Sequence, residues 1–181
     1  MVLKQAFVLT FAIVFCSLQL ASADEDCKNL MDKGDKIDDC CQLESIIPMN
    51  EADNCSSAAD DASHPREKIS CIVQCELQSL GVMNGKQLVP EKVLEYANRL
   101  DGDWKEKAVE IANTCNERLD NAKDHIDAKV QDKDCSPIGG FLLGCIMKHT
   151  FDGCPADKWQ NTDFCNKLKS GECFKQRGRQ P

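Results

Sequence analysis

The chain has 181 residues, carries a formal net charge of −8 at pH 7, and is 42% hydrophobic. Such an acidic chain repels nucleic acid and anionic membranes, and no basic patch with interleaved aromatic residues offsets this charge. The composition therefore excludes a nucleic-acid partner, and the few basic residues in the C-terminal stretch 175–179 are typical of a solvated tail.

The N-terminus has the pattern of a secretory signal peptide. An apolar run over 6–15 is followed by Ala21 and Ala23, which fit the small-residue positions of a cleavage site. The run is shorter than the ~20 residues that a membrane-spanning helix needs. We predict that residues 1–23 are removed, that 24–181 form one secreted domain, and that no segment spans a membrane.

Four later segments show the apolar periodicity of amphipathic helices. Ser63 and Asp103 are candidate N-caps, and Gly81 stands where a C-terminal cap belongs. In chain order the segments are 63–82, 89–102, 103–122 and 136–151. Because no stretch alternates between apolar and polar residues as a strand does, we predict an all-α fold, a compact bundle of about six or seven short helices.

The cysteine count indicates the type of cross-linking. Of 13 cysteines, Cys16 lies in the predicted signal peptide, and the remaining twelve predict six disulfides in an oxidising compartment. Zinc is the alternative, but no Cys-x2-Cys pair occurs and the three histidines are isolated in the sequence. We predict no metal and no cofactor. The twelve cysteines are Cys27, Cys40, Cys41, Cys55, Cys71, Cys75, Cys115, Cys135, Cys145, Cys154, Cys165 and Cys173.

Five of these cysteines are spaced in a recognisable way. Three residues separate Cys71 from Cys75, and 39 residues separate Cys75 from Cys115. Eight residues then separate Cys145 from Cys154. These intervals resemble the core pattern of insect odorant-binding proteins.

Three further features sharpen this resemblance. Cys135 precedes the Cys145 position, Pro155 directly follows Cys154, and Cys165 comes soon after. Together they resemble the Plus-C subfamily known from mosquitoes and flies, over about 41–173. The resemblance implies a helical shell around an apolar cavity, and a secreted carrier that transports odorants or semiochemicals through aqueous lymph.

The resemblance also implies a disulfide pairing. Carried over from the family, it joins Cys71 to Cys145, and Cys115 to Cys154. Cys75 would pair with Cys40 or Cys41, of which we favour Cys41. The other six cysteines would form three more bonds, and their connectivity stays open.

For ligand contacts we predict residues on the apolar helix faces, with ordinary core packing as the alternative. No charged residue interrupts these faces, which favours neutral ligands. The predicted ligand-binding residues are Ile72, Leu94, Ala108, Ile111, Phe141, Leu142 and Ile146. We expect Phe141, Leu142 and Ile146 to face inward.

The sequence contains no motif that indicates an enzyme. No Gly-x-Ser-x-Gly motif occurs, oxidised cysteines leave no thiol nucleophile, and the carboxylates fall in polar runs typical of solvated faces. We therefore predict a carrier of a small apolar ligand and no catalytic residue. The alternative is a disulfide-rich salivary or reproductive protein that binds a protein partner or a non-odorant lipid. The sequence leaves open the ligand, the tissue, a homodimer, an indirect interaction with an olfactory receptor, and glycosylation of Asn54.

Overall fold

The structure is a computed structural model that describes residues 27, 33–49, 55–62, 64–128 and 135–175. The predicted signal peptide, 1–23, lies outside the described residues. The chain divides into two compact units, one formed by 43–156 and the other by its two terminal parts, up to 42 and from 157 onward. No helix in the described ranges is long and apolar enough to cross a membrane. A single domain over 24–181 stays a prediction.

The fold is all-α, as predicted. Seven α-helices, one short 3-10 helix and a small hairpin lie within the part of the chain that the structure describes. In chain order they are α1 (Gly34–Asp38), the 3-10 helix (Ser56–Ala59), α2 (Pro65–Ser79), β1 (Met83–Asn84), β2 (Gln87–Leu88), α3 (Pro90–Arg99), α4 (Gly102–Ala128), α5 (Ile138–Gly153), α6 (Asp163–Lys169) and α7 (Glu172–Lys175).

The helix ends follow proline and glycine. Proline occupies the first turn of α2 and of α3, where its missing N–H has no intrahelical partner to lose. Gly81 after α2 has a φ of +71°, a left-handed conformation that ends a helix without steric cost. The N-cap of α2 is His64, and Ser63 lies outside the described residues. Helix α4 begins one residue before the predicted cap Asp103 and continues beyond the predicted end, to Ala128.

The unit over 43–156 contains a contiguous apolar core. Helix α4 packs against α3 and α5, and α2 packs against α5 and the 3-10 helix. Fully buried core residues include Leu77 on α2, Val93 on α3 and Leu142 on α5. The antiparallel hairpin pairs Met83 with Leu88 beside these helices. Its strands have two residues each, which is too short for the alternation that predicts a strand.

Helices α2 and α5 approach each other closely at Gly139. A Cβ atom at this position would lie 2.7 Å from Leu77 Cδ1 and 3.1 Å from Val73 Cγ1, with Met83 Sδ at 3.2 Å. Real Cβ atoms essentially never show a contact under 3.0 Å, so the 2.7 Å contact with Leu77 would force a shift. Glycine is therefore the residue that lets the first turn of α5 pack against α2.

The twelve predicted cysteines are all disulfide-bonded, which confirms the cross-linking prediction. The pairing is different from the one carried over from the family. Five of the bonds are Cys27–Cys173, Cys40–Cys165, Cys55–Cys75, Cys71–Cys135 and Cys115–Cys145. Cys41 and Cys154 also take part in disulfides. The predicted bonds Cys41–Cys75, Cys71–Cys145 and Cys115–Cys154 are therefore wrong.

Local packing explains two of these corrections. The 3-10 helix packs on α2, and this places Cys55 beside Cys75. On the same helix, Gln74 Oε1 accepts a hydrogen bond of 2.7 Å from Ser136 N, one residue after the bonded Cys135. Cys71 and Cys75 thus connect one helix turn to two different elements.

The third correction follows from the contact between α4 and α5. These two helices pack side by side, and Cys115 on α4 faces Cys145 on α5. Their sulfurs bond directly, so Cys115 is not available to Cys154 and Cys145 is not available to Cys71. The pairing depends on helix packing that the spacing of cysteines does not encode.

The terminal unit is held by backbone pairing and disulfides. Gln42 N donates to Lys158 O and Gln160 N donates to Cys40 O, each at 2.9 Å, so 40–42 runs antiparallel to 158–160. Cys40–Cys165 and Cys27–Cys173 add covalent links within this unit. These bonds hold α1 and α6 in one compact body.

Candidate ligand-binding site

Most of the predicted ligand-binding residues lie together in the core of the 43–156 unit. Ala108 and Ile111 on α4, with Leu142 and Ile146 on α5, are all buried members of one cluster. Leu94 on α3 is half-buried and packs against the same cluster. The structure thus brings together five of the seven residues.

The other two predicted residues lie elsewhere. Ile72 on α2 is half-buried and does not belong to this cluster. The inward orientation predicted for Phe141 is wrong, because its side chain is 54% exposed. A helix advances about 100° per residue, so the turn that buries Leu142 and Ile146 directs Phe141 to the side. One exposed aromatic residue is ordinary on a protein surface.

Sequence reasoning missed the contribution of 43–49 to the core. Ile46 and Ile47 are buried there, although neither residue lies in a helix. Its position is fixed by Trp104 on α4, whose Nε1 donates a 2.9 Å hydrogen bond to Glu44 O. The only signal in the sequence was a pair of adjacent isoleucines. Two adjacent apolar residues show neither helical nor strand periodicity, so they do not indicate which side of the segment is buried.

The core of this unit is almost free of polar side chains. Among the described residues, Ser136 is the one buried polar or charged residue, and it lies two residues before α5. At the edge of the core, Tyr96 Oη donates to Leu80 O at 3.1 Å. An environment without charge favours ligands that are themselves neutral.

Within the part of the chain that the structure describes, two buried side-chain atoms have no hydrogen-bond partner. They are Asn116 Oδ1, whose amide nitrogen donates to Pro90 O at 3.1 Å, and His149 Nε2. His149 lies with Cys115 and Cys145 in a cluster whose ligand atoms are within 4.8 Å of one another. Because the two sulfurs form a disulfide, they are not thiolates, and the cluster offers a metal only one imidazole.

Burial alters the ionisation of one carboxyl group in this unit. Partial burial on α2 raises the pKa of Glu76 above its ordinary value of 4.5, because it removes solvent from the charged form. Glu95 on α3 is exposed, and hydrogen bonds from Lys92 and Arg99 lower its pKa. Neither carboxylate lies in the apolar cluster, so neither indicates acid–base chemistry there.

The terminal unit contains a separate open cleft with a volume of 520 Å³. One wall comes from α1 and the residues on either side of it, and the other wall comes from 160–165. The lining residues are Lys33, Lys36, Asp39, Gln42, Gln160, Thr162, Phe164 and Cys165. Sequence reasoning did not identify this site, because its two walls are more than 100 residues apart and neither has a recognisable motif.

An all-α chain with twelve bonded cysteines and an apolar helical core has the features of an insect odorant-binding protein. The sequence profile of the AgamOBP47-like family matches residues 50–171, and the chain belongs to this family. The match includes all of the helices that build the core. The Plus-C assignment is consistent with this family and stays a prediction.

Two mosquito relatives extend the comparison. Odorant-binding protein 47 of Anopheles gambiae is 28% identical over 111 residues, covering 55% of this chain and 49% of the relative. This match therefore spans about half the length of the mosquito protein. General odorant-binding protein 67 of the same species is 22% identical over 181 residues, covering 91% of this chain and 86% of the relative.

Proposed function

We propose that the protein is a secreted carrier that binds small, neutral, hydrophobic molecules in the apolar interior of the 43–156 unit. Its ligands would be odorants or semiochemicals, which it transports through an aqueous body fluid such as sensillar lymph. The observation that supports this proposal is the convergence of apolar residues from α3, α4 and α5 on one interior without charge. The names of the two mosquito relatives agree with it.

Burial energies set the expected affinity. A ligand with ten carbon atoms gains at most ~8 kcal/mol when all its methylene groups leave water. Loss of translational and rotational freedom offsets part of this gain. We therefore expect dissociation constants of about a micromolar for such ligands.

Small buried side chains on α4 are positions where a substitution adds volume to the interior without adding a polar group. Ala108 and Ala112 are both fully buried in the cluster. A larger side chain at Ala108 would occupy space that a ligand needs, while adding no polar group. Ala58 in the 3-10 helix is exposed and offers a matched position for the same substitution outside the core.

The experiment is displacement of the fluorescent probe N-phenyl-1-naphthylamine from delipidated protein by 1-decanol. We expect displacement in the micromolar range for the wild type and for Ala58→Leu, and at least tenfold weaker probe binding for Ala108→Leu. Circular dichroism and thermal unfolding of both variants would verify that they are folded. No probe binding by the wild type at tens of micromolar would overturn the carrier proposal and favour a protein-binding role.

A further inference from the structure

We propose that His149 on α5 is a specificity-determining residue of the apolar interior, and that the preferred ligands are small apolar molecules with one hydroxyl group, alcohols or phenols. This inference rests on the proposed carrier function, because it names a ligand class for the same interior. Three observations support it: the position of His149 between α4 and α5, the unpaired Nε2 atom of its ring, and the apolar residues around it.

Helices α4 and α5 pack antiparallel. Cys115 on α4 is bonded to Cys145 on α5. Further along α5, a Cβ atom at Gly153 would lie 3.1 Å from the Cε atom of Lys107, which precedes Cys115 on α4. The residue numbers of the two contacts therefore rise on α5 while they fall on α4. The contacts are eight positions apart on each helix, so the two helices run side by side over about two turns.

This arrangement places His149 at the level of the proposed ligand site. His149 is midway between the two contacts on α5, and Ile111 is midway between them on α4. Ile111 is buried in the apolar cluster, and so is Ile146, which precedes His149 by about one helical turn. A ring nitrogen of His149 also lies within 4.8 Å of the sulfurs of Cys115 and Cys145. The imidazole therefore adjoins the residues on which the carrier proposal depends.

The Nε2 atom of His149 lacks the hydrogen bond that a buried nitrogen requires. The side chain as a whole is half-buried, but Nε2 itself is buried and has no hydrogen-bond partner within the described ranges. Burial without such a bond is unfavourable, because the hydrogen bonds to water are lost. The neighbouring disulfide does not replace them, since it has no S–H group to donate and its sulfurs are weak acceptors. A ligand that supplies the bond would recover this loss.

The two tautomers of imidazole indicate the ligand class. Either nitrogen of a neutral imidazole can carry the proton, so Nε2 either donates or accepts a hydrogen bond. A hydroxyl group can do both, whereas the oxygen of an aldehyde, ketone or ether only accepts. A carboxylate would enter an interior whose described buried side chains carry no charge, which is unfavourable. An alcohol or a phenol therefore suits His149 in either tautomer.

A water molecule is a less favourable partner for this nitrogen. Buried waters typically make about three hydrogen bonds to protein groups. Ile111 and Ile146, at the level of His149, offer a water no polar side chain. The hydroxyl group of a ligand differs from a water because the rest of its molecule is apolar and gains from contact with these residues.

The test compares 2-naphthol with 2-methylnaphthalene, in which a methyl group of similar size replaces the hydroxyl group. Displacement of N-phenyl-1-naphthylamine from delipidated protein measures both dissociation constants. We expect the wild type to bind 2-naphthol more tightly. In His149→Leu the preference should reverse, because the methyl compound is the more apolar of the two. The ratio of the two constants should change by about tenfold, which corresponds to one hydrogen bond to a buried group.

A matched variant and a second measurement make the test specific. His125→Leu, at an exposed position on α4, should keep the wild-type preference. The second measurement needs no variant, because the chain has three histidines and their imidazole ¹⁵N signals are few. In the wild type, 2-naphthol should shift the Nε2 signal of His149 and leave those of His64 and His125 in place. 2-Methylnaphthalene should shift the same signal much less.

Failure of this inference and failure of the carrier proposal give different results. If the wild type binds neither the probe nor the two compounds, the carrier proposal is wrong and the role of His149 falls with it. If the probe and both compounds bind, but folded His149→Leu keeps the wild-type preference, only the role of His149 is wrong. An unchanged Nε2 signal of His149 in wild-type protein saturated with 2-naphthol would also overturn it.

Discussion

Phe141 and Leu142 are neighbours on α5, but their side chains lie in different environments. Leu142 is fully buried in the core, whereas Phe141 is mostly exposed and lies beside the exposed Gly140. Hydrophobicity alone does not distinguish the two residues, because both belong to the most apolar helix of the described chain. Their position relative to the Ile138–Leu142–Ile146 row decides which one is buried.

We predict that Leu142→Ala lowers the free energy of unfolding by about 2–5 kcal/mol, because it removes buried methyl groups and leaves a cavity. Phe141→Ser should change it by less than about 0.5 kcal/mol, as is usual for an exposed side chain. Chemical denaturation followed by circular dichroism measures both values. A large loss for Phe141→Ser would show that this side chain is covered in solution.

Glu76 gives the stability a dependence on pH. Its pKa is raised in the folded state, so folding disfavours the carboxylate, and stability falls as the pH rises from the ordinary value of 4.5 through the raised one. We predict that Glu76→Gln, which cannot ionise, has a higher melting temperature than the wild type at pH 7. At pH 3, where Glu76 is protonated in both states, the difference should vanish.

The control for this prediction is Glu117→Gln, at an exposed position on α4. Differential scanning calorimetry at pH 3 and pH 7 measures all three proteins. If Glu76→Gln were less stable than the wild type at pH 7, the carboxylate would be stabilising in the folded protein, and the burial argument would be contradicted.

Among the elements, α5 depends most visibly on its glycines. Gly139 contacts α2, whereas Cβ atoms at Gly140 and Gly144 would have no neighbour within 4 Å. The three glycines are therefore equivalent in helix propensity but not in packing. Alanine substitution separates these two effects.

We predict that Gly139→Ala lowers the free energy of unfolding by about 1–3 kcal/mol, because the added methyl group overpacks the contact with Leu77. Gly144→Ala should raise it by about 0.5–1 kcal/mol, since alanine favours the helix and meets no neighbour. Urea denaturation of the two variants tests the pair. Equal effects of the same sign would mean that α2 and α5 do not pack closely at Gly139.

The helices of this fold were predictable where apolar residues recur at helical spacing and where proline or glycine marks the end of a helix. Apolar periodicity located α2 to α5, and Pro65, Pro90 and Gly81 marked their boundaries. The hairpin was not predictable, because its strands are too short to alternate. The cleft of the terminal unit was not predictable either, since it depends on contacts between Gln42 and Lys158 that bring distant segments together.

The residues of the candidate ligand site were likewise predictable only where they follow helical periodicity. Helical faces identified Ala108, Ile111 and Leu142 correctly as interior positions, because buried residues on a helix recur every three or four residues. Phe141 was predicted to face inward because its helix has few polar residues. The sequence therefore does not show clearly which side of the helix faces solvent. The disulfide partners depend on which helices pack together, and local spacing does not contain that information.

At the scale of the whole molecule, disulfides close loops of very different length. Cys55–Cys75 spans 20 residues and Cys71–Cys135 spans 64, although both bonds start from one turn of α2. In the chain-entropy description, a longer closed loop restricts the unfolded state more strongly. The two bonds are thus a matched pair for measuring this effect within one fold.

We predict that the double variant Cys71→Ala/Cys135→Ala loses about 4 kcal/mol of unfolding free energy, and Cys55→Ala/Cys75→Ala about 3 kcal/mol. Guanidinium denaturation under non-oxidising, non-reducing conditions would measure the difference of about 1 kcal/mol. Peptide mapping of the wild type by mass spectrometry is the control, since it must first recover these two pairings. The opposite order of the two losses would show that native-state effects outweigh loop entropy.

The bond between Cys27 and Cys173 has a consequence for the connectivity of the molecule. It joins positions 146 residues apart and so closes nearly all of the described chain into a covalent ring. A protease that cuts one peptide bond anywhere within that ring opens it but releases no fragment, since both new ends remain attached through the sulfurs. A nicked molecule therefore keeps all of its residues until it is reduced, and its helices stay at the high effective concentration of a single chain.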